Sequence, residues 1–326
     1  MSEAPSSSPR RLLLIANPIS GGGRGQDRTE ALAAALRGRG IDTEIHFTQC
    51  AGDATARAAA ATAEGWDGLV AIGGDGTVNE VLNGMQDPGL GLGVLPVGTA
   101  NVLAKELRLP RHPVAAAALL ATGQRRELAV GLADGRRFLL FCGVGIDGAV
   151  VRRLAAVRTG TLGKHKWLGP IVHTVRHWPR FELAATFADG CRLDGLSEVL
   201  VTRVRNYGGV VSLVRDIDVG SGRLHVLCFR QRSRRAWIWL GARALCRRLR
   251  EGPSLVVRHT TAVQIDGAAP MQIDGDDGGD APVQVTLSPR RALLFAPPPR
   301  ASLRRDVAAD RVAGAEGEGV VHHERQ

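Results

Sequence analysis

The stretch LVAIGGDGTVNEVLNGM, residues 69–85, joins an apolar run to a glycine-rich turn and then to a helical pattern. The run Leu69–Ile72 has the length and composition of a buried strand. Beyond the turn, apolar residues recur at helical spacing: Val78, Val81, Leu82 and Met85. The stretch therefore predicts a strand, a tight turn and a helix with one buried face.

The turn itself indicates an anion site. Its three glycines allow the backbone to turn sharply and approach a ligand, and amide groups at a helix start attract anions. Asp75 stands among those glycines and suits a phosphate that carries Mg²⁺, although it also fits a simple turn. Thr77 and Glu80 match the S/T-x-x-E pattern, so we expect Thr77 to cap the helix and Glu80 to reach back.

Strand-like and helix-like runs alternate through the first part of the chain, which predicts βαβ units and a parallel sheet. The predicted strands are Leu12–Ala16, Ile41–Phe47, Leu69–Ile72 and Leu92–Pro96. The predicted helices are Arg28–Arg37, Ala54–Ala63, Val78–Met85 and Ala115–Thr122.

Three of these strands end in glycine-rich polar loops: NPISGGG (17–23), GGDGTVNE (73–80) and PVGTAN (96–101). One such loop is typical of an ordinary turn. Because the carboxyl ends of parallel strands share one edge, three loops are expected to meet in one crevice.

The remainder of the chain has a different texture. Short β-like runs separated by Gly/Asp turns predict a mainly antiparallel second domain. We expect a disordered leader over 1–10, an α/β domain over 11–125, a β-rich domain over 126–298 and a disordered tail over 299–326.

Composition narrows the class of protein. The chain has 326 residues, 44% of them hydrophobic, and a formal charge of +10. The excess charge suits an anionic partner, although arginine-rich codon usage explains it equally well. Only 4% of residues are aromatic and no nucleic-acid module is recognisable, so nucleic acid is not the expected partner. The apolar run at Leu12–Ala16 is too short for a signal peptide, and the five scattered cysteines favour reduced thiols in a cytoplasm.

NPISGGG, GGDGTVNEV and LPVGTANVLA, in this order and spacing, resemble the diacylglycerol kinase catalytic family, whose members include bacterial lipid kinases and sphingosine and ceramide kinases. The resemblance continues through FCGVGIDGAVV (141–151), NYGGVV (206–211), GRLHV (222–226) and IDGD (273–276). It covers most of the chain between residues 11 and 298 and implies a fold of the kind shared with NAD kinases.

The resemblance implies that 11–125 is a nucleotide-binding domain and 126–298 a lipid-substrate domain. It also implies an ATP site with Mg²⁺ at the three loops. Asp75 is the expected metal ligand and a catalytic residue. The expected nucleotide contacts are Asn17, Ser20, Gly21, Arg24, Thr48, Gly74, Asp75, Gly76, Thr77, Thr99 and Asn101.

The resemblance also implies a catalytic acid near the C-terminus. Relatives carry an Asp-Gly-Glu triplet whose glutamate is the general base, and here the triplet is Asp274-Gly275-Asp276. Asp276 is one methylene shorter than that glutamate, and Asp277 and Asp280 stand close by as substitutes. Asp147 matches a family acid at the cleft between the domains and is expected to orient this chemistry. An acidic solvated turn is the alternative interpretation of the string DGDDGGD (274–280).

Two departures concern metals. Many relatives have aspartate at the position of Val102, where it contributes to the metal–water network, and valine cannot. Many bacterial members also hold a structural Mg²⁺ through Asp-Asp-Gly, where this chain has 220–222 as Gly-Ser-Gly, with Asp216 and Asp218 out of register. We expect that structural metal to be absent or rearranged.

Two basic, tryptophan-containing segments, Arg230–Arg250 and Lys164–Arg180, suit the headgroup region of an anionic membrane. A core-packing helix with solvated arginines is the equally weighted alternative. We expect a cytoplasmic protein that is peripheral at the inner face of the membrane, with a homodimer also compatible.

The leading hypothesis is therefore a lipid kinase that transfers the γ-phosphoryl group of ATP to a lipid hydroxyl. A regulator that binds nucleotide or lipid without catalysis is the principal alternative, and a NAD kinase is a third. The sequence leaves the acceptor open among diacylglycerol, a sphingoid base, ceramide and phosphatidylglycerol.

Overall fold

The structure is a computed structural model, and it describes residues 8–157, 168–207, 211–213, 217, 219–231, 233–246 and 249–299. The expected leader and tail fall almost entirely outside these residues. The same holds for Asp216 and Asp218 and for residues 164–167 of the first basic segment. Those predictions stay predictions.

The first half of the chain forms the predicted parallel sheet. Its first four strands are β1 (Arg11–Ala16), β2 (Asp42–Phe47), β3 (Gly68–Gly73) and β4 (Gly91–Pro96). They pair in the order β2-β1-β3-β4, and every pair is parallel. Each strand end lies within one residue of its predicted position, because all four runs are bounded by turn residues. β1, β3 and β4 are in addition buried on both faces, whereas β2 is the partly exposed edge strand.

Helices cover both faces of this sheet. They are α1 (Ser20–Gly23), α2 (Gly25–Arg37), α3 (Asp53–Ala60), α4 (Asp75–Gly84), α5 (Val102–Leu107) and α6 (Pro113–Ala121). Alternate residues of β1 point to opposite sides: Leu12 and Leu14 pack with α2 and α6, whereas Leu13 and Ile15 pack with α3 and α4. The α/β class predicted for this domain is confirmed.

The sheet also receives a strand from the far end of the described chain. β20 (Ala292–Phe295) lies between β4, to which it is parallel, and β5 (Arg125–Leu128), to which it is antiparallel. Its residues fall inside the range expected for the second domain, and β5 straddles the expected boundary. The first sheet therefore extends across the 125/126 boundary that composition indicated.

The second half is a sandwich of two antiparallel sheets. The strands of one sheet are β6 (Gly131–Ala133), β7 (Arg136–Phe138), β9 (Leu183–Phe187), β10 (Arg192–Leu196), β16 (Ala262–Asp266) and β19 (Val283–Leu287). Those of the other are β8 (Phe141–Gly145), β11 (Glu198–Thr202), β14 (Leu224–Phe229), β15 (Leu255–Thr260), β17 (Pro270–Ile273) and β18 (Asp276–Asp280). Alternate apolar residues of both sheets fill the space between them, which confirms the antiparallel second domain.

Three helices and a small hairpin complete the described fold. The helices are α7 (Ile146–Val157), α8 (Leu168–His177) and α9 (Arg234–Leu245); the hairpin pairs β12 (Asn206–Tyr207) with β13 (Val211–Ser212). None of the helices in the described ranges combines the length and apolar character needed to cross a bilayer.

Phe295 anchors the returning strand. Its ring is buried, lies under the Arg125 guanidinium at 4.9 Å, and fills space left by Gly68 and Gly91. We expect Phe295→Ala to lower the free energy of unfolding by about 3–5 kcal/mol because it empties a packed site. Urea unfolding measures this effect. The control Val114→Ala, at a side chain 51% exposed, should change stability by less than about 0.5 kcal/mol. A loss below about 1 kcal/mol for Phe295→Ala would contradict this role for β20.

Candidate functional site

The three glycine-rich loops meet at one edge of the parallel sheet, as predicted. The Gly73 carbonyl accepts hydrogen bonds from the amides of Val97 (2.8 Å) and Gly98 (3.1 Å), and the Asn17 amide donates to Ile72 O (2.9 Å). The loops after β1 and β4 are thus both bonded to the end of β3, which lies between those strands.

Glycine is required where the loops touch. A Cβ on Gly98 would lie 2.4 Å from the Gly74 Cα, and one on Gly21 would lie 2.5 Å from the Val97 carbonyl oxygen. Gly21 also has φ +65°, which side-chain-bearing residues rarely adopt. By contrast, a Cβ on Gly22, Gly23 or Gly76 would meet nothing within 4 Å, so these residues face open space. The loops are closely packed against each other and open on their outer side.

The capping-box prediction is wrong. α4 begins at Asp75 with Gly74 as its cap, so Thr77 lies inside the first turn, where its side chain is buried against Gly73. Glu80 instead accepts a hydrogen bond from the Gly52 amide (3.1 Å), at the start of α3. Gly74 has no side chain to cap the helix, so the first backbone amides of α4 stay available to an anion at the crevice edge.

Asp75 joins α4 to the third loop. One carboxylate oxygen accepts from the Val102 amide (3.0 Å) and the other from the Leu103 amide (3.2 Å), at the start of α5. Burial raises the pKa of Asp75, and these backbone bonds oppose that rise. A carboxylate has about four lone-pair positions, so at least one remains for another ligand.

The residues present fit one Mg²⁺ on a bound nucleotide. Mg²⁺ commonly takes one or two protein carboxylates, with phosphates and water completing its octahedron, so Asp75 alone suffices. Within the described residues there is no cluster of three or more His, Cys, Asp or Glu that would hold a metal independently of a substrate. The Val102 side chain is buried in the apolar core, so this residue supports Asp75 through its backbone amide only.

Asn101 carries an independent sign of a ligand. It sits in the left-handed region at φ 47°, and its Nδ2 donates to Gly98 O at 2.6 Å. Its Oδ1 is buried and has no hydrogen-bond partner among the described residues. A buried acceptor without a partner costs about 1–3 kcal/mol, so a donor from a bound molecule would stabilise it.

The other expected nucleotide contacts lie at the same edge. Asn17 Oδ1 accepts from the Ile19 amide (3.2 Å), and the exposed Arg24 donates through Nε to Gly21 O (2.9 Å). Ser20 is partly exposed at the start of α1, and Thr99 is exposed in the loop after β4. Thr48 follows β2, and its amide donates to Ala16 O (2.9 Å). The structure therefore brings every expected nucleotide residue to one crevice, while their roles stay predictions.

Asp274 is a structural residue that the sequence did not identify. Its two carboxylate oxygens accept from the amides of Leu139, Leu140 and Phe141 (2.9–3.0 Å) and from Asn79 Nδ2 (2.8 Å). Burial raises the pKa of Asp274 to about 6, and the same four hydrogen bonds limit the rise. This carboxylate connects α4 of the first domain to the chain that enters β8 of the second.

Asp276, two residues later, lies at the start of β18 and faces the crevice. Its side chain is 40% exposed, and Arg136 Nη2 donates to its Oδ2 at 2.9 Å. Arg136 also lies 3.4 Å from Asn79 Oδ1 in α4. The pKa of Glu80 is raised mainly by burial and further by the nearby charge of Asp276. Asp276 is thus held beside the helix whose first turn carries the predicted phosphate site.

The two substitute acids are engaged elsewhere. Arg152 of α7 bonds both Asp277 (3.2 Å) and Asp280 (2.8 Å). That pairing lowers the pKa of Asp277. Of the three acids in this strand, Asp276 is the one directed to α4.

Hydrogen bonds through Gln272 connect Asp147 to the backbone next to Asp276. Its carboxylate accepts from the Tyr207 hydroxyl and from Gln272 Nε2 (2.7 Å), and Gln272 Oε1 accepts from the Gly275 amide (2.8 Å). The Asp147 amide in turn donates to the buried Glu198 at 3.0 Å, and burial raises the pKa of both carboxyl groups. The chain of bonds ends at the residue before Asp276, so the geometry favours an orienting role for Asp147.

The loop expected to have lost a structural metal contains a guanidinium instead. Arg203 is fully buried and donates to the carbonyls of Val219 (3.0 Å), Ser221 (2.7 Å) and Arg223 in this loop, and to Ala129 O (3.2 Å). These carbonyls are thus bonded by a side-chain cation. The described residues of this loop therefore do not fit a structural Mg²⁺.

Residues 11–133 match the family described as "Diacylglycerol kinase catalytic domain". The chain is similar to the diacylglycerol kinase of Bacillus subtilis strain 168, at 28% identity over 84% of this chain and 92% of that one. It is also similar to the diacylglycerol kinase of Staphylococcus aureus bovine strain RF122, at 26% identity over 88% and 93%. A crystal structure of a diacylglycerol kinase from Bacillus anthracis has the same fold, with a TM-score of 0.69, 22% identity, and coverage of 90% of this chain and 98% of that chain.

The glycine contacts are testable as a matched pair. Gly21 and Gly22 both have positive φ, but only Gly21 would clash with backbone. We expect Gly22→Ala to cost about 1–2 kcal/mol of unfolding free energy and Gly21→Ala to cost about 1–3 kcal/mol more, because the Val97 loop must move. Urea unfolding of both variants measures the difference. Equal losses would show that the loops do not pack as described.

Arg203→Met is expected to lower the free energy of unfolding by at least about 3 kcal/mol, because several buried carbonyls lose their donor. Exposed Arg39, which bonds one carbonyl of the helix that precedes it, provides the control Arg39→Met.

In Asp75→Ala protein without nucleotide, adding Mg²⁺ or a chelator should leave the unfolding midpoint unchanged. A midpoint that falls when the chelator is added would show that the protein does hold a structural metal.

Proposed function

We propose that this member of the lipid kinase family transfers the γ-phosphoryl group of ATP, as its Mg²⁺ complex, to the hydroxyl of a membrane lipid. Diacylglycerol is the first acceptor to test, because the relatives named above are diacylglycerol kinases. The observation that carries the proposal is the position of Asp276 against α4, whose first turn belongs to the glycine-rich crevice.

The crevice supplies the phosphate-binding part of the reaction. The open backbone around Gly22, Gly23 and Gly76 offers amides at close range, and Asn101 Oδ1 offers a buried acceptor to the nucleotide. Mg²⁺ on Asp75 would neutralise charge that develops on the transferred group. Phosphoryl transfer depends mainly on positioning and charge stabilisation, and a rigid set of packed loops provides both.

Asp276 is the proposed general base. As the lipid hydroxyl oxygen forms its bond to the γ-phosphorus, the bond from that phosphorus to the β–γ bridging oxygen breaks and ADP leaves. The hydroxyl proton passes to Asp276. Within the described residues Arg136 is the hydrogen-bonding partner of this carboxylate, through Oδ2, so Oδ1 is left for the substrate.

Asp147 is proposed to position this base. It fixes Gln272, and Gln272 fixes the Gly275 amide in the turn that precedes Asp276. The position of this turn therefore determines where the carboxylate of Asp276, on its shorter side chain, can act. Arg136 contributes a second constraint from β7.

The test measures transfer of labelled phosphate from ATP to a panel of lipids in mixed micelles with Mg²⁺. We expect transfer to one lipid class. Asp276→Asn should lower kcat by about 10²–10⁴-fold while nucleotide binding persists, because only proton transfer is removed. Asp75→Ala should weaken binding of the Mg²⁺–nucleotide complex itself.

Asp277→Ala is the matched control, since that acid lies beside Asp276 in the same strand but bonds Arg152. It should keep most of the activity. If ATP binds but no lipid is phosphorylated, the protein is a nucleotide-binding regulator rather than a kinase. If NAD is phosphorylated in place of any lipid, the acceptor assignment is wrong.

A further inference from the structure

The exposed apolar side chains of the described chain concentrate on two helices. Seven large hydrophobic side chains are exposed, and five of them lie on α8 and α9. These five are Ile171, Val172, Ile238, Trp239 and Leu245. Trp239 is 67% exposed, and an indole so exposed on a stable helix calls for a partner.

α9 is anchored on one side only. Its buried side chain is Leu240, and Trp237 packs against Phe229 at 5.2 Å between ring centroids. Trp237 also lies 6.3 Å from Trp178, just after α8, so the two helices meet through their tryptophans. Core packing of this segment is therefore provided by Leu240 and Trp237. Ile238 and Trp239 point away from the core. We call the exposed surface of α8 and α9 the Arg/Trp face.

The two sequence segments that carry this face contain basic residues and no acidic ones. Residues 230–250 contain eight arginines and no aspartate or glutamate, and residues 164–180 likewise contain no acid. Arg234 and Arg235 are exposed at the start of α9. Trp239, Arg243 and Arg250 line one shallow groove at its other end. Guanidinium groups beside an indole suit lipid phosphates at the depth where the ring sits in the interface.

A second copy of the chain does not suit this face. In a two-fold dimer the same surface meets itself, so arginine would oppose arginine in a region that has no acid. An anionic bilayer satisfies both properties together, because its headgroups take the guanidinium groups and its acyl region takes the apolar side chains.

The face also connects to the site. α9 packs on β13, whose partner strand β12 carries Tyr207, and Tyr207 bonds Asp147. We infer that the Arg/Trp face docks this protein on anionic lipid bilayers, with Trp239 and Ile238 inserted among the headgroups. That docking serves catalysis rests on the proposed function; the docking itself does not.

The experiment uses the full chain and co-sedimentation with vesicles of pure phosphatidylcholine or of phosphatidylcholine with about 30% phosphatidylglycerol. We expect at least about tenfold tighter binding to the anionic vesicles, and most of that gain should be lost in about 0.5 M salt. Trp239→Glu and the double variant Arg234→Glu/Arg235→Glu should each weaken binding by at least about tenfold. Val114→Glu, at an exposed apolar residue on α6, is the control and should bind as the native protein does.

Equal binding to both vesicle types, or undiminished binding by Trp239→Glu, would overturn the inference. Loss of a dimer, or of nucleic-acid binding, as the main effect of Trp239→Glu would assign the face to those partners and overturn it as well. A water-soluble short-chain diacylglycerol, assayed without vesicles, separates the two proposals. Trp239→Glu should phosphorylate it at the native rate. Native protein that binds anionic vesicles but phosphorylates no lipid would retain the docking inference and refute the kinase.

Discussion

The Asp274 carboxylate is the contact on which the geometry of this site depends. It accepts hydrogen bonds from three backbone amides at 139–141, which lead into β8, and from the side-chain amide of Asn79 in α4. It therefore fixes the second domain against α4, the helix that begins at the crevice. Arg137, in the same approach to β8, donates to the carbonyls of Asn83 and Met85 at the other end of α4. Because Asp276 follows Asp274 by two residues, this connection sets its distance from the crevice together with the Arg136 ion pair.

This arrangement bears on how Asp276 could serve as the proposed base although it is shorter than the glutamate that the family resemblance led us to expect. The backbone bends sharply at Asp274 (φ 49°) and Gly275 (φ 91°), and the Gly275 amide is held by Gln272. A shorter side chain needs a more exactly placed backbone, and here the turn is fixed on both sides. Asp277 and Asp280 pair with Arg152 instead of facing the cleft, so they do not compete with Asp276 there.

Local pattern was sufficient for the fold class, the parallel strands and the meeting of the three loops, because apolar runs and glycines determine these features within a few residues. It failed at Thr77 and Glu80, since a matching capping box cannot show that Gly74 already starts the helix. Asp274 and Arg203 were missed for a different reason. Their partners, at 139–141 and 219–223, are far away in sequence, and a buried carboxylate or guanidinium leaves no periodic signal.

The position of β20 has a consequence for how the protein is made. The strand lies between β4 and β5, yet nearly the whole sandwich is encoded between β5 and β20. During synthesis the parallel sheet therefore keeps an unpaired edge on β4 until the sandwich has been translated. Such an edge is a template for wrong pairing. The order of the chain thus makes the two domains one folding unit, in which the first domain to be translated is the last to be completed.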